Sequence, residues 1–107
     1  MDGAMDGIVI RYVFDGSGDG DEAAWQRAVD TFLAAIAADA EVQGRFRYVV
    51  TVGNDGVSRT HIGRWDTDET LKTLQGRDYF ATFSEAVQGF AGDTLEATRM
   101  HVYGETG

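Results

Sequence analysis

The order of hydrophobic patterns constrains this chain more than any single motif. A β-branched strand comes first, then a long amphipathic helix. Two strands follow, joined by Gly53-Asn54-Asp55-Gly56, then a second, aromatic helical region and a last strand. The pattern is β-α-β-β-α-β, which one four-stranded antiparallel sheet satisfies with its helices on a single face. An α+β fold is therefore expected.

The first strand reads Ile8-Val9-Ile10-Arg11-Tyr12-Val13-Phe14 and closes in an Asp/Gly loop. That loop lacks the G-x-x-x-x-G-K-[ST] pattern, and its aspartates would repel phosphate. Helix one is expected over residues 21–43. Trp25, Ala28, Val29, Phe32, Leu33 and Ile36 recur at three- and four-residue intervals, with Asp19 or Asp21 as cap and Gly44 as terminator. Strands two and three are expected over 45–52 and 57–66, linked by a turn whose Asn, Asp and Gly tolerate positive φ. A short helix over 70–75 breaks at Gly76. A second piece over 78–89 carries Tyr79, Phe80, Phe83 and Val87 on one stripe. The last strand is expected over 96–103. Residues 1–7 read as a leader, 8–103 as one domain and 104–107 as a tail.

Composition narrows the partners. A chain of 107 residues, 43% of them hydrophobic, can bury one core without a staple. There is no cysteine, so thiolate chemistry and disulfides are excluded, and metal binding would fall to His61, His101 and carboxylates. A formal charge of −9 argues against nucleic acid and anionic membrane as partners, because both need clustered Lys and Arg. No apolar run approaches the ~20 residues of a membrane span, and the acidic start lacks a secretory pattern, so a cytoplasmic location is expected. Ser58 and Ser84 have no G-x-S-x-G context that would suggest a hydrolase.

Strand alternation points to a second chain. Ile8, Ile10 and Phe14 lie on one face and Val9 and Val13 on the other, yet two helices cover only one face. The second face, punctuated by Arg11, Arg47, Thr60 and Arg64, needs a partner. Strand four is ambiguous: Arg99, His101 and Tyr103 alternate with Thr98, Met100 and Val102, and the apolar set is the better fit to a core, while the face of Arg99 and His101 stays open. Alternation also groups Tyr12, Tyr48, His61, Gly63 and Trp65 on one face. The bland alternative makes His61 a hydrogen-bonded structural residue and Tyr12, Tyr48 and Trp65 core packing.

The stretch Gly63-Arg64-Trp65-Asp66-Thr67-Asp68-Glu69-Thr70-Leu71, followed by Tyr79-Phe80-Ala81-Thr82-Phe83, resembles the antibiotic biosynthesis monooxygenase family of the dimeric α+β barrel superfamily. The resemblance implies a ferredoxin-like subunit and a homodimer formed through the open sheet faces. It also implies a pocket between sheet and helices that needs no cofactor. In that pocket His61 and Tyr12 are expected as catalytic residues, with Tyr48, Trp65 and Phe83 binding a small aromatic, phenolic or quinol-type ligand. His61 could accept a phenolic proton, since its ordinary pKa of ~6.5 lies near neutrality. An easily oxidised anion can then react with oxygen directly. The alternative is a non-catalytic ligand-binding or structural homodimer. Haem-degrading relatives use an Asn on strand one and a Trp and a His in the second helical region. Here strand one has no Asn, and Leu74 and Ser84 stand at the other two positions.

Overall fold

The computed structural model describes residues 5–107 and runs β1 (Asp6–Val13), α1 (Glu22–Ala38), β2 (Phe46–Val52), β3 (Ser58–Trp65), α2 (Asp68–Gln75), α3 (Asp78–Ala91) and β4 (Glu96–His101). The strands form one antiparallel sheet ordered β2-β3-β1-β4, with β1 and β3 central. This is the ferredoxin-like α+β fold expected from the pattern. Of the leader expected over 1–7, residues 1–4 lie outside the described residues. Asp6 and Gly7 are paired strand, and the Met5 carbonyl accepts from the Val102 amide at 2.9 Å.

One boundary, the end of α1, departs from the periodicity for a local chemical reason. Helix α1 starts where expected, with Asp21 Oδ1 accepting from the Ala24 amide at 2.9 Å. It stops at Ala38, not Gln43, because Asp39 turns extended. The Asp39 carboxylate accepts from Arg77 Nε and from the Tyr79 hydroxyl, both at 2.8 Å, which ties the end of α1 to the start of α3. Gly44, with φ +79°, ends the following turn and not the helix itself. In the hairpin, only Gly56 takes positive φ (+83°). Asp55 acts through its side chain, accepting from the Val57 and Ser58 amides and the Ser58 hydroxyl. Those donors lower its pKa to about 2.

Register separates the two sheet faces. Ile8, Ile10 and Tyr12 of β1, Phe46 and Tyr48 of β2, and Arg59, His61, Gly63 and Trp65 of β3 face the helices. Phe32 of α1 stacks on Phe83 of α3 with centroids 4.0 Å apart, closing the layer above them. The opposite face holds Val9, Val13, Val49, Ile62 and Met100 with Arg11, Arg47, Thr60 and Arg64, and Val49 is 50% exposed. Strand β4 corrects the sequence reading: Arg99 lies on the helix face over Trp65, while Thr98 and Met100 take the open face. Being an edge strand beyond the reach of the helices, β4 leaves Ala97 and Arg99 exposed even on that face.

Candidate functional site

Four side chains form one hydrogen-bonded array through the core. Trp25 Nε1–H donates to the Tyr12 hydroxyl at 2.8 Å. The Tyr12 hydroxyl lies 2.8 Å from His61 Nε2, and the Tyr48 hydroxyl lies 2.8 Å from His61 Nδ1. Alternation places the last three: Tyr12 on β1 and Tyr48 on β2 flank His61 on the strand between them.

Counting hydrogens gives the array a direction. Tyr12 is 3% exposed, and among the described residues its hydroxyl hydrogen has His61 Nε2 as its one acceptor. A buried donor left unmade is costly, so Tyr12 donates and Nε2 accepts. Nδ1 therefore carries the imidazole hydrogen and donates to the Tyr48 oxygen. The Tyr48 hydroxyl hydrogen is left without an acceptor in the array.

Electrostatics keep the array neutral. Burial, aided by the nearby Arg59 charge, lowers the His61 pKa to about 4. Burial raises both tyrosines above their ordinary value, for Tyr12 against the opposing Trp25 hydrogen bond and Arg59 charge. Arg59, 1% exposed, donates to the Gly56 carbonyl and to Glu22 Oε1, each at 2.9 Å. Its guanidinium carbon lies 4.4 Å from the Trp25 ring centroid, so it also braces the first member of the array.

A cavity of about 150 Å³ opens beside the array, between sheet and helices. Ile8, Ile10, Phe46 and Tyr48 form its floor, and Phe32, Leu74, Phe80 and Phe83 its roof. Trp65 closes one side, and Gln75, Gln88 and Arg99 stand at an exposed rim near β4. Tyr48, Trp65 and Phe83, expected to bind ligand, all line it. His61 and Tyr12 do not. His61 is fully buried, its ring stacked on Phe83 at 5.8 Å between centroids and bonded at each nitrogen to a tyrosine, so direct contact with a ligand is closed off.

Three participants were not assigned to the site from sequence. Trp25 reads as one more member of the helical stripe, no motif marks Arg59, and alternation leaves the face of Arg99 open. Arg59 had a signal, because it alternates with His61, Gly63 and Trp65 and so shares their face. Among the described residues, no group of three or more His, Asp or Glu side chains is placed to hold a metal ion, and no helix is long and apolar enough to cross a membrane.

No model of a protein family matches the chain, and no curated protein does. Solved structures match it closely in shape. Rv0793 from Mycobacterium tuberculosis superposes with a TM-score of 0.72 at 14% identity, over 96% of this chain and 99% of that one. SnoaB, a cofactor-independent oxygenase from Streptomyces nogalater, gives 0.62 at 13% identity, over 97% and 95%. A candidate antibiotic biosynthesis monooxygenase from Nitrosomonas europaea gives 0.72 at 12% identity, over 100% and 97%. The chain thus has the fold of the monooxygenase-like proteins that its sequence resembles.

Proposed function

We propose that the chain binds a small phenolic or quinol-type aromatic in the sheet-helix cavity and oxidises it with molecular oxygen, without a bound cofactor. The observation that carries this reading is Tyr48, which lines an aromatic cavity while its hydroxyl is held by His61 with its own hydrogen uncommitted among the described residues. A purely structural dimer would have filled that space with side chains, whereas ~150 Å³ of apolar cavity is enough for one aromatic ring.

Tyr48 donates to the substrate oxygen and favours its ionised form, as a preorganised donor does for a developing oxyanion. His61 and Tyr12 are positioning residues that aim this donor. The proton leaves through the rim. The electron-rich anion reduces oxygen by one electron, and the resulting superoxide joins the ring carbon opposite the oxygen. For a phenol the hydroperoxide then loses water, taking the ring hydrogen, and leaves a quinone, so that phenol plus oxygen gives quinone plus water; a quinol, with a hydroxyl on that carbon, gives its quinone plus hydrogen peroxide. SnoaB, named as a cofactor-independent oxygenase, supports the assignment by its shared fold.

The functional unit in this reading is a homodimer. Val9, Val49, Ile62 and Met100 on the open sheet face supply the apolar surface for such an interface, and Arg11, Arg47 and Arg64 supply its polar contacts. Native mass spectrometry with a panel of phenols and hydroquinones, followed by oxygen uptake with each binder, tests the proposal. A ligand-holding dimer that consumes oxygen is the expected result. A monomer, or a dimer that binds none of the panel, overturns it.

A further inference from the structure

We infer that the cavity selects an anionic ligand, a single-ring aryl carboxylate whose acid group sits between Arg99 and the indole N–H of Trp65. The inference rests on the aromatic-pocket reading above and adds the charge of what enters.

Trp65 is 2% exposed and lines the cavity, yet its Nε1–H has no acceptor among the described residues. Buried donors are rarely left so, and an orphan of this kind at a cavity marks a place for a ligand acceptor. The Arg99 guanidinium carbon lies 5.0 Å from the Trp65 ring centroid, at the exposed rim, with no carboxylate partner among the described residues.

The surroundings sharpen the contrast. The chain carries 18 acidic and 9 basic residues, but no carboxylate of the described residues lines this cavity. Asp6 pairs opposite Trp65 in the sheet and is exposed; it is not part of the cavity wall. Tyr48, Trp65 and Arg99 all offer hydrogens; among the described lining side chains the acceptors are neutral, namely the amides of Gln75 and Gln88, the Ser84 hydroxyl and the Tyr48 oxygen, which His61 already engages. A ligand that matches must bring acceptors and negative charge. The planar guanidinium suits a planar carboxylate, and a ring bearing a hydroxyl would meet Tyr48 as well. A hydroxybenzoate satisfies both contacts, and the 4-isomer, whose acid group occupies the ring carbon that oxygen attacks, is a binding probe that does not turn over.

Calorimetric titration with 4-hydroxybenzoate and its neutral amide tests this. The acid is expected to bind the wild-type protein about tenfold more tightly, the worth of one charge-assisted contact. Arg99→Gln should erase the preference while leaving the amide's affinity within about twofold, because Arg99 is exposed on an edge strand and its loss leaves the cavity walls intact. Trp65→Phe should weaken the acid severalfold more than the amide. Equal binding of acid and amide, or an Arg99→Gln variant that weakens both alike, overturns the charge selection and leaves the aromatic pocket standing. If neither compound binds, the pocket reading itself fails, and this inference with it.

Discussion

Tyr48 stands between His61 and the cavity: its hydroxyl lies 2.8 Å from His61 Nδ1 while its ring forms part of the cavity floor. The histidine therefore reaches a ligand only through the tyrosine. A direct general base would titrate near neutrality, but His61 is held to about 4 by burial and the Arg59 charge. The chemistry assigned to the site follows from that pairing.

Nitrogen NMR of His61 should show a single Nδ1–H tautomer that does not titrate between pH 5 and 8. A folded pKa below the unfolded one means that the unfolded chain binds the extra proton. Stability from this group is then complete above the ordinary histidine pKa and is lost as pH falls toward 4. The full loss is on the order of 3 kcal/mol. Denaturant titrations at pH 7, 5.5 and 4.5 would expose it. A His61 signal titrating near 6.5 would refute the account.

The tautomer depends on Trp25, which satisfies the Tyr12 oxygen and leaves its hydrogen for His61. Trp25→Phe removes that donor and opens space in which the Tyr12 hydroxyl can turn. The expected cost is about 1–3 kcal/mol, from one buried hydrogen bond and a smaller ring. The same spectra should then show a mixture of Nδ1–H and Nε2–H forms. An unchanged tautomer in a folded variant would mean that the array is not ordered from its Trp25 end.

Gly63 lets Tyr48 lie where it does. A Cβ built there would stand 3.1 Å from the Tyr48 ring and 3.3 Å from the Phe46 ring, and both rings are packed against neighbours. Gly63→Ala should cost about 1–3 kcal/mol through overpacking. It should also displace the Tyr48 hydroxyl from His61, weakening ligand binding more than a mutation of similar cost elsewhere in the core. Thermal unfolding alongside ligand titration separates the two effects.

Arg59 is buried and its partner Glu22 is half-exposed, so the two mutations that break the pair are not equivalent. Glu22→Ala leaves a buried cation with a carbonyl and two aromatic faces, and should destabilise by about 1–3 kcal/mol after allowance for solvent screening. Arg59→Met replaces the cation with apolar volume and should cost less, since the Nε atom has no partner to lose. Urea unfolding of the two variants gives the order directly.

Much of this arrangement is legible in the sequence because alternation fixes sheet faces. Tyr12, Tyr48, His61 and Trp65 fall on one face by period two alone, and the Gly-Asn-Asp-Gly segment fixes the β2–β3 hairpin. The directness of the His61 contact was not legible. Whether Tyr48 and Phe83 cover the imidazole or leave it open depends on how α3 docks, and no local pattern encodes docking. The end of α1 was hidden for a related reason. Apolar periodicity continues to Val42, and only the distant Arg77 and Tyr79 reveal why Asp39 leaves the helix. Arg99 was obscured because strand periodicity assigns faces but does not say which edge of a face the helices fail to cover.

Oxygen consumption by the wild-type protein and Tyr48→Phe with phenol and hydroquinone-type substrates, in the presence of a metal chelator, decides whether Tyr48 drives the oxidation. Removing one oxyanion donor should lower turnover about 100-fold or more while binding changes little, because Phe preserves the cavity wall. One quinone should form per oxygen consumed with the phenols, and the rate should rise with the substrate's own ionisation. Equal oxygen uptake by both proteins would contradict the role given to Tyr48, and no uptake over the uncatalysed rate with any bound substrate would contradict the oxygenase reading.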